Sequence, residues 1–265
     1  MTADRGDPFY NRSLERALQI LNAFNSERQV IALTQLSEIL GIPKATVLRL
    51  CSTLVQYDYL RHDSDSKQYS LGLKLFELGS IVFSSFSLRR SASPYLAQLQ
   101  AKLGQTVYLG ILDHDELLYI DKKEDLGNPI RFTSSIGNRR PPYWGMVGPM
   151  LMAYLSDNEV ERLLQRHPLT AHTKKSFTDK WEFKEWLIRV REQGFAVDDE
   201  RSFEGISGVA APVRDFTGKV VAAMGVGYIS SSFDSKALKK ATKEVMASAL
   251  TISREIGYLE KTNQQ

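Results

Sequence analysis

The sequence predicts an α+β protein in two parts, an N-terminal winged helix-turn-helix and a C-terminal antiparallel sheet with helices. Three observations predict it. Residues 33–73 read helix, tight turn, helix and short hairpin. Strand-like runs recur at 106–112, 117–122, 130–134, 194–198, 208–214 and 219–227. A long amphipathic helix, 235–258, closes the chain. The division expected is 1–73 for the first domain, 74–93 for a linker helix and 94–265 for the second domain.

In the first domain, Ser13 is placed to cap a helix whose inner face is Leu14, Ala17, Leu18, Leu21 and Phe24. Thr34 can cap a second helix with Leu36, Ile39 and Leu40 on one face. Gly41 allows a sharp turn, and Pro43 stands where a third helix begins, where its missing N–H costs little. In that helix Val47, Leu50, Cys51 and Leu54 fall at i, i+3, i+4 and i+7 and make a buried stripe. The opposite face carries Lys44, Ala45, Thr46, Arg49, Ser52 and Thr53. Small, hydroxylated and basic side chains of this kind suit a helix that enters a major groove. Tyr57–Arg61 and Lys67–Leu71 flank the polar turn His62–Ser66 as a hairpin wing. A helical hairpin inside an unrelated core is the competing reading, but it does not account for turn, basic face and wing in this order. A connecting helix is expected over Lys74–Leu88, and its Phe76, Phe83 and Phe86 have no obvious home within so small a domain. Together with Ile81 and Val82 they suggest a partner subunit.

The second domain opens with a helix marked by Tyr95, Leu96, Leu99 and Leu103 and ended by Gly104. Asp113–Glu116 and Asp215–Gly218 read as hairpin turns, and helices are expected at 148–155, 157–166 and 178–193. The order matches a sheet with its helices packed on one face.

Composition excludes several classes. A hydrophobic content of 43% is ample for a core, and a net charge of +3 does not by itself announce a nucleic-acid binder. The single cysteine rules out an intrachain disulfide, and Cys51 falls on the apolar stripe. No run of about 18 apolar residues and no apolar leader occurs, so a cytoplasmic protein with no membrane partner is expected. There is no G-x-S-x-G, P-loop or C-x-x-C, and Gly225 with Gly227 gives only G-x-G at the end of a strand. His62, His114, His167 and His172 fall in predicted turns and loops. No catalytic residue, metal site or cofactor is therefore expected. Two segments could hold a ligand. Asp198-Asp199-Glu200, before Gly205, is either a solvated strand end or a hydrogen-bonding group in a site. Tyr143–Pro149 is either a packed loop or the apolar wall of a pocket.

Residues 12–258 resemble the IclR family of transcriptional regulators. The resemblance rests on SLERALQILNAF, LTQLSEILGIPKATVLRLCSTL and YSLGLKLFELG in the first domain. In the second it rests on GFAVDDER and EGISGVAAPVRDFTGKVVAAMGVG. It implies a winged helix-turn-helix joined by a helix to a GAF/PAS-like effector domain, in a repressor or activator that is not an enzyme. The implied partners are double-stranded operator DNA, a small organic effector (aromatic or another organic acid) and further copies of the chain, as a homodimer or homotetramer. DNA contacts would come from Lys44, Ala45, Thr46, Arg49, Thr53 and the wing residue Lys67. The family pocket, carried onto this chain, would use Ile130, Phe132, Met146, Val147, Asp198, Ile206, Gly208, Gly225 and Gly227. Pro149 replaces a frequent lysine, Gly208 a cysteine or polar residue, and Gly225 and Gly227 frequent serines. These departures imply a roomier, less polar pocket for a flat ligand. Two other classes remain, a catalytic domain fused to a DNA-binding module and a purely structural oligomerisation domain. A reactive pair in the cavity would mark the first, and a cavity too small for a ligand the second.

Overall fold

The computed structural model describes residues 10–25, 28–85, 87–124 and 134–259. The chain divides into two units, Met1–Ser85 and Phe86–Gln265. The first begins with α1 (Arg12–Asn22). Its cap is Asn11, not Ser13: the Asn11 Oδ1 accepts from the N–H groups of Ser13 (3.0 Å) and Leu14 (3.1 Å). Of the expected inner face, Phe24 is buried and Leu21 packs on the core, but Leu14 and Leu18 are 59% and 51% exposed, and Ile20 and Ala23 are buried instead. A strand not expected from sequence, β1 (Val30–Ala32), leads into α2 (Leu33–Leu40). The start of α2 is held by the Gln35 side chain, which accepts from the Ala32 N–H at 3.0 Å, rather than by Thr34. Gly41 ends it at φ 62°, the left-handed conformation that favours glycine.

Pro43 precedes α3 (Lys44–Gln56), and its carbonyl accepts the N–H groups of Thr46 and Val47. Val47 and Cys51 are fully buried, with Leu50 and Leu54 packed beside them on Ile20, Ile31 and Leu36. Burial pushes the Cys51 thiol up to about 11, so it stays a neutral core group. The wing is β2 (Leu60–Asp63) and β3 (Gln68–Leu71). The strands are shorter than expected and shifted: β2 starts at Leu60 rather than Tyr57 but continues through His62 and Asp63, which pair with Tyr69 and Gln68, so the turn is Ser64–Lys67. The Asp63 carboxylate accepts from the N–H groups of Asp65 and Ser66, which holds its pKa below the usual range. The sheet order is β1-β3-β2, so β1 ties the wing to the helices.

The described residues of the expected connecting helix, Lys74–Leu88, are helical on both sides of Phe86, which lies outside the description. α4 (Leu73–Ser85) belongs to the first unit and α5 (Ser87–Leu103) to the second. Phe76 is 74% and Ile81 63% exposed. The side chains of Val82 and Phe83, and residue Phe86, lie outside what the structure describes.

The second unit is built on β4 (Thr106–Asp113), β5 (Glu116–Lys123), β6 (Arg139–Arg140), β7 (Ala196–Asp199), β8 (Ile206–Arg214) and β9 (Val220–Ile229). These form one antiparallel sheet of order β6-β5-β4-β9-β8-β7. The expected strand 130–134 lies outside the described residues except Ser134, which is not in a strand. Between β6 and β7 come α6 (Val147–Met152), α7 (Asp157–Arg166) and α8 (Lys180–Gln193). α9 (Ser235–Glu255) follows β9.

The helices cover both faces of the sheet, not one. Val107, Leu109, Val209, Ala211, Val213, Met224 and Val226 pack with residues of α5 and α9. The alternate residues Tyr108, Ala210 and Ala223 pack with residues of α6, α7 and α8. The physical signal was present: β8 and β9 are near-continuous apolar runs, which is what a strand buried on both faces requires.

Candidate functional site

The exposed surface of α3 has the chemistry read from the sequence. Lys44, Ala45, Arg49, Ser52 and Thr53 are exposed and Thr46 half-buried, opposite Val47 and Cys51. Thr53 and Ser52 return their hydroxyls to the carbonyls of Arg49 and Leu48 at 3.2 and 2.9 Å. That leaves Lys44 and Arg49 as the extended polar groups of this face. Lys67 is exposed at the end of the wing turn with φ 57°.

The second unit contains a cavity of about 370 Å³. It lies on the α6 face of the sheet. Its walls are Tyr108 and Tyr119 from β4 and β5, Trp144 and Met146 before α6, and Ile206 and Ile229 from β8 and β9. The two tyrosine rings lie 5.3 Å apart. Trp144 meets Phe203 edge-on at 5.8 Å and His172 at 4.7 Å. The Gly145 N–H donates to Ser202 Oγ at 2.7 Å and joins the loop before α6 to the loop after β7. Phe203, Glu204 and Gly205 are exposed and form part of the lining.

Asp198 is the polar centre of this wall. It is only 5% exposed, and its Oδ1 accepts the Arg201 N–H at 2.7 Å. Burial holds its carboxyl above the usual carboxylate range, against hydrogen bonds from Arg201 and Ser202 that favour the charged form. Burial likewise pushes the Tyr119 phenol up to about 12, opposed by a Ser134 hydrogen bond and the nearby Arg140 charge. Tyr108 is shifted in the same direction by burial. Both phenols therefore stay neutral donors at physiological pH.

The structure separates the expected pocket residues into three sets. Met146, Asp198 and Ile206 line the cavity. Ile130 and Phe132 lie outside the described residues. Val147, Gly208, Gly225 and Gly227 are not among its lining residues, and the room expected above Gly208 and Gly225 is occupied. A Cβ on Gly208 would stand 2.3 Å from Met146 Cε and 2.5 Å from the Val226 carbonyl oxygen. A Cβ on Gly225 would stand 3.0 Å from both Met146 Cγ and Val147 Cγ2. These glycines let α6 seat its first residues against the sheet, and the cavity lies beyond them. Sequence reasoning missed Tyr108, Tyr119, Ser202, Ser207 and Ile229 as lining residues. Strand alternation puts Tyr108 and Gly110 on one face, but only the strand order shows which face bears the cavity.

A model for the IclR helix-turn-helix domain matches residues 13–64, and one for the bacterial transcriptional regulator IclR C-terminal domain matches residues 81–254. This chain belongs to the IclR family. It is 34% identical over 247 residues to the HTH-type transcriptional regulator XynR of Escherichia coli (strain K12), spanning 93% of this chain and 98% of that one. A crystal structure of an IclR transcriptional regulator from Alicyclobacillus acidocaldarius matches with a TM-score of 0.83 and 31% identity, over 93% of this chain and 99% of that one. An IclR homologue from Microbacterium hydrocarbonoxydans, complexed with 4-hydroxybenzoate, shares the fold with a TM-score of 0.82 at 22% identity, over 92% and 98% of the two chains. The α3 face thus belongs to the DNA-binding helix-turn-helix of an IclR regulator. The cavity lies wholly within the match to the C-terminal domain. Among the described residues no helix is long and apolar enough to cross a membrane, and no His, Cys, Asp and Glu cluster could hold a metal ion.

Proposed function

We propose that this IclR-family regulator binds operator DNA as an even-numbered homo-oligomer and responds to a flat organic effector, aromatic or another organic acid, held in the cavity of its second unit. The cavity carries the reading. It has the volume of a small-ligand site, aromatic and aliphatic walls, and a few polar groups that can orient a ligand. A structural oligomerisation domain has no need of it, and a catalytic domain would need a reactive pair that the described lining does not offer. The 4-hydroxybenzoate held by the Microbacterium hydrocarbonoxydans homologue is of the size proposed here. Met146 and Ile206 would contact the ring, and Asp198 would accept a hydroxyl.

On the DNA side, Arg49 is assigned to a guanine edge, Lys44 and Lys67 to phosphates, and Ala45, Thr46 and Thr53 to close approach along the groove. Assembly is supported by the exposed Leu14, Leu18, Phe76 and Leu78 of the first unit. A two-fold dimer would present two recognition helices to a pseudopalindrome. The test begins with selection of bound duplexes from a random pool, followed by gel shifts on the selected site with and without benzoates. A selected consensus whose occupancy changes with one of these acids supports the proposal. Binding without sequence preference at physiological salt refutes the DNA assignment. Sedimentation near the 29.9 kDa of one chain at micromolar concentration refutes the oligomer.

A further inference from the structure

The cavity presents an electrostatic difficulty for an acid. Its described lining holds two carboxyl groups, Asp198 and Glu204, and no lysine or arginine. A carboxylate taken out of water needs a counter-charge. Other basic side chains on the flanking elements are engaged. Arg139 bridges Asp113 and Glu116, and Lys122 is held by Glu124. Lys175 bridges Asp199 and Glu200, and Arg201, over the rings of Phe177 and Trp186, donates from Nη1 to the Val197 carbonyl at 3.5 Å.

Arg140 is different. It forms no ion pair among the described residues, and its buried Nε has no hydrogen-bond partner. It stands on β6 opposite Leu117, a residue of the α6-face core. Its guanidinium carbon lies 5.2 Å from the centre of the Trp144 ring, which lines the cavity. The Tyr119 hydroxyl, in the same lining, feels the charges of both Arg140 and Asp198. The cavity therefore has a cationic border beside Trp144 and Tyr119 and a carboxyl at Asp198.

Resting on the cavity assignment above, we propose that Arg140 is the counter-charge for the effector's carboxylate and that Asp198 takes the hydrogen-bonding group at the ligand's other end. The site then selects flat monoanions carrying a second polar group. A guanidinium with an unused N–H is suited to this, because a charge-assisted bond satisfies a buried donor at the same time.

The test uses the full-length protein and matched probes: benzoate with benzamide, and 4-hydroxybenzoate with 4-hydroxybenzamide, each measured by calorimetry. At least one acid should bind wild type more tightly than its amide. Arg140→Gln should weaken that acid roughly ten- to a hundred-fold, as loss of a hydrogen bond to a charged group does, and change its amide little. Arg140→Lys should keep part of the acid preference. A merely structural Arg140 would weaken acid and amide together. Amides binding wild type as well as acids, or acid preference unchanged in Arg140→Gln, overturns the assignment while leaving the cavity reading intact. If neither acids nor amides bind, the cavity reading fails and this assignment fails with it.

Discussion

Replacing Gly225 by alanine tests whether this glycine makes room for a ligand or for the protein itself. Gly225 pairs with Tyr108 and Ala210 in the sheet and is not at positive φ, so alanine fits its backbone. In an open site, the smaller unfolded-state entropy would stabilise the variant by about 0.4–1 kcal/mol. The site is not open. The new methyl would lie 3.0 Å from Met146 Cγ and Val147 Cγ2 and 3.3 Å from the Ala210 Cβ. None of these atoms is the free end of a long side chain, and valine has little χ1 freedom to withdraw. Overpacking of this kind costs about 1–3 kcal/mol, so a net loss of about 1–2 kcal/mol is expected. In a unit of this size that lowers Tm by about 2–4 °C per kcal/mol. Urea titration of the single variants and of Gly225→Ala combined with Met146→Ala supplies a double-mutant cycle. Met146→Ala alone should cost about 2–5 kcal/mol, and the pair should lose less than the sum by at least about 0.5 kcal/mol. A raised Tm for Gly225→Ala, or strict additivity with Met146→Ala, would refute the packing argument and return the glycine to the pocket.

Three further outcomes are expected. Arg49→Ala should cost about 1–3 kcal/mol on the selected operator and relax preference at one base position, whereas Lys44→Ala should weaken all duplexes alike and reduce the salt slope by about one; gel shifts over a salt series separate them. Asp198→Asn should gain stability relative to wild type as pH rises. The raised carboxyl pKa means the folded wild type holds its proton more tightly than the unfolded chain, so wild-type stability is full below the usual aspartate pKa and declines as pH rises through the folded value. Denaturation across pH checks this, and an advantage that instead grows toward acid pH contradicts it. Gly72→Ala should loosen the wing, because its Cβ would fall 1.9 Å from the Asp58 carbonyl oxygen where the chain leaves β3; hydrogen exchange of the β2–β3 amides should accelerate while α9 stays protected.

Much of the architecture follows from local chemistry. The 3.6-residue stripe of Val47, Leu50, Cys51 and Leu54 sets which side of α3 is buried, and therefore leaves Lys44 and Arg49 to solvent. Gly41 ends α2 because a left-handed residue is needed there. The expected helix at 157–166 coincides with α7, whose Ser156 and Glu159 cap each other. These features depend on neighbours within a few residues, so the sequence alone determines them. The Asn11 cap of α1 and the Gln35 side chain at the start of α2 are local too, but nearby Ser13 and Thr34 offer comparable chemistry; choosing among them depends on where the helix must enter its packing.

The rest was decided by tertiary structure. Leu14, Leu18 and Phe24 fit one helical face by periodicity, and only the docking of α1 on α2 and α3 buries Phe24 with Ile20 while leaving Leu14 and Leu18 exposed. Asp198 was legible as a candidate, yet its burial arises from the closing of the loops around it. The role of Gly208 and Gly225 was not legible, because small residues in a strand leave room without saying what fills it. Here Met146 and Val147, remote in sequence, enter that space as α6 seats on the sheet. The remaining gap, with Tyr108, Tyr119 and Trp144 around it, is a property of three separate segments meeting. Periodicity specifies which face of an element seeks cover, but the volume left uncovered is set only when all the elements have packed.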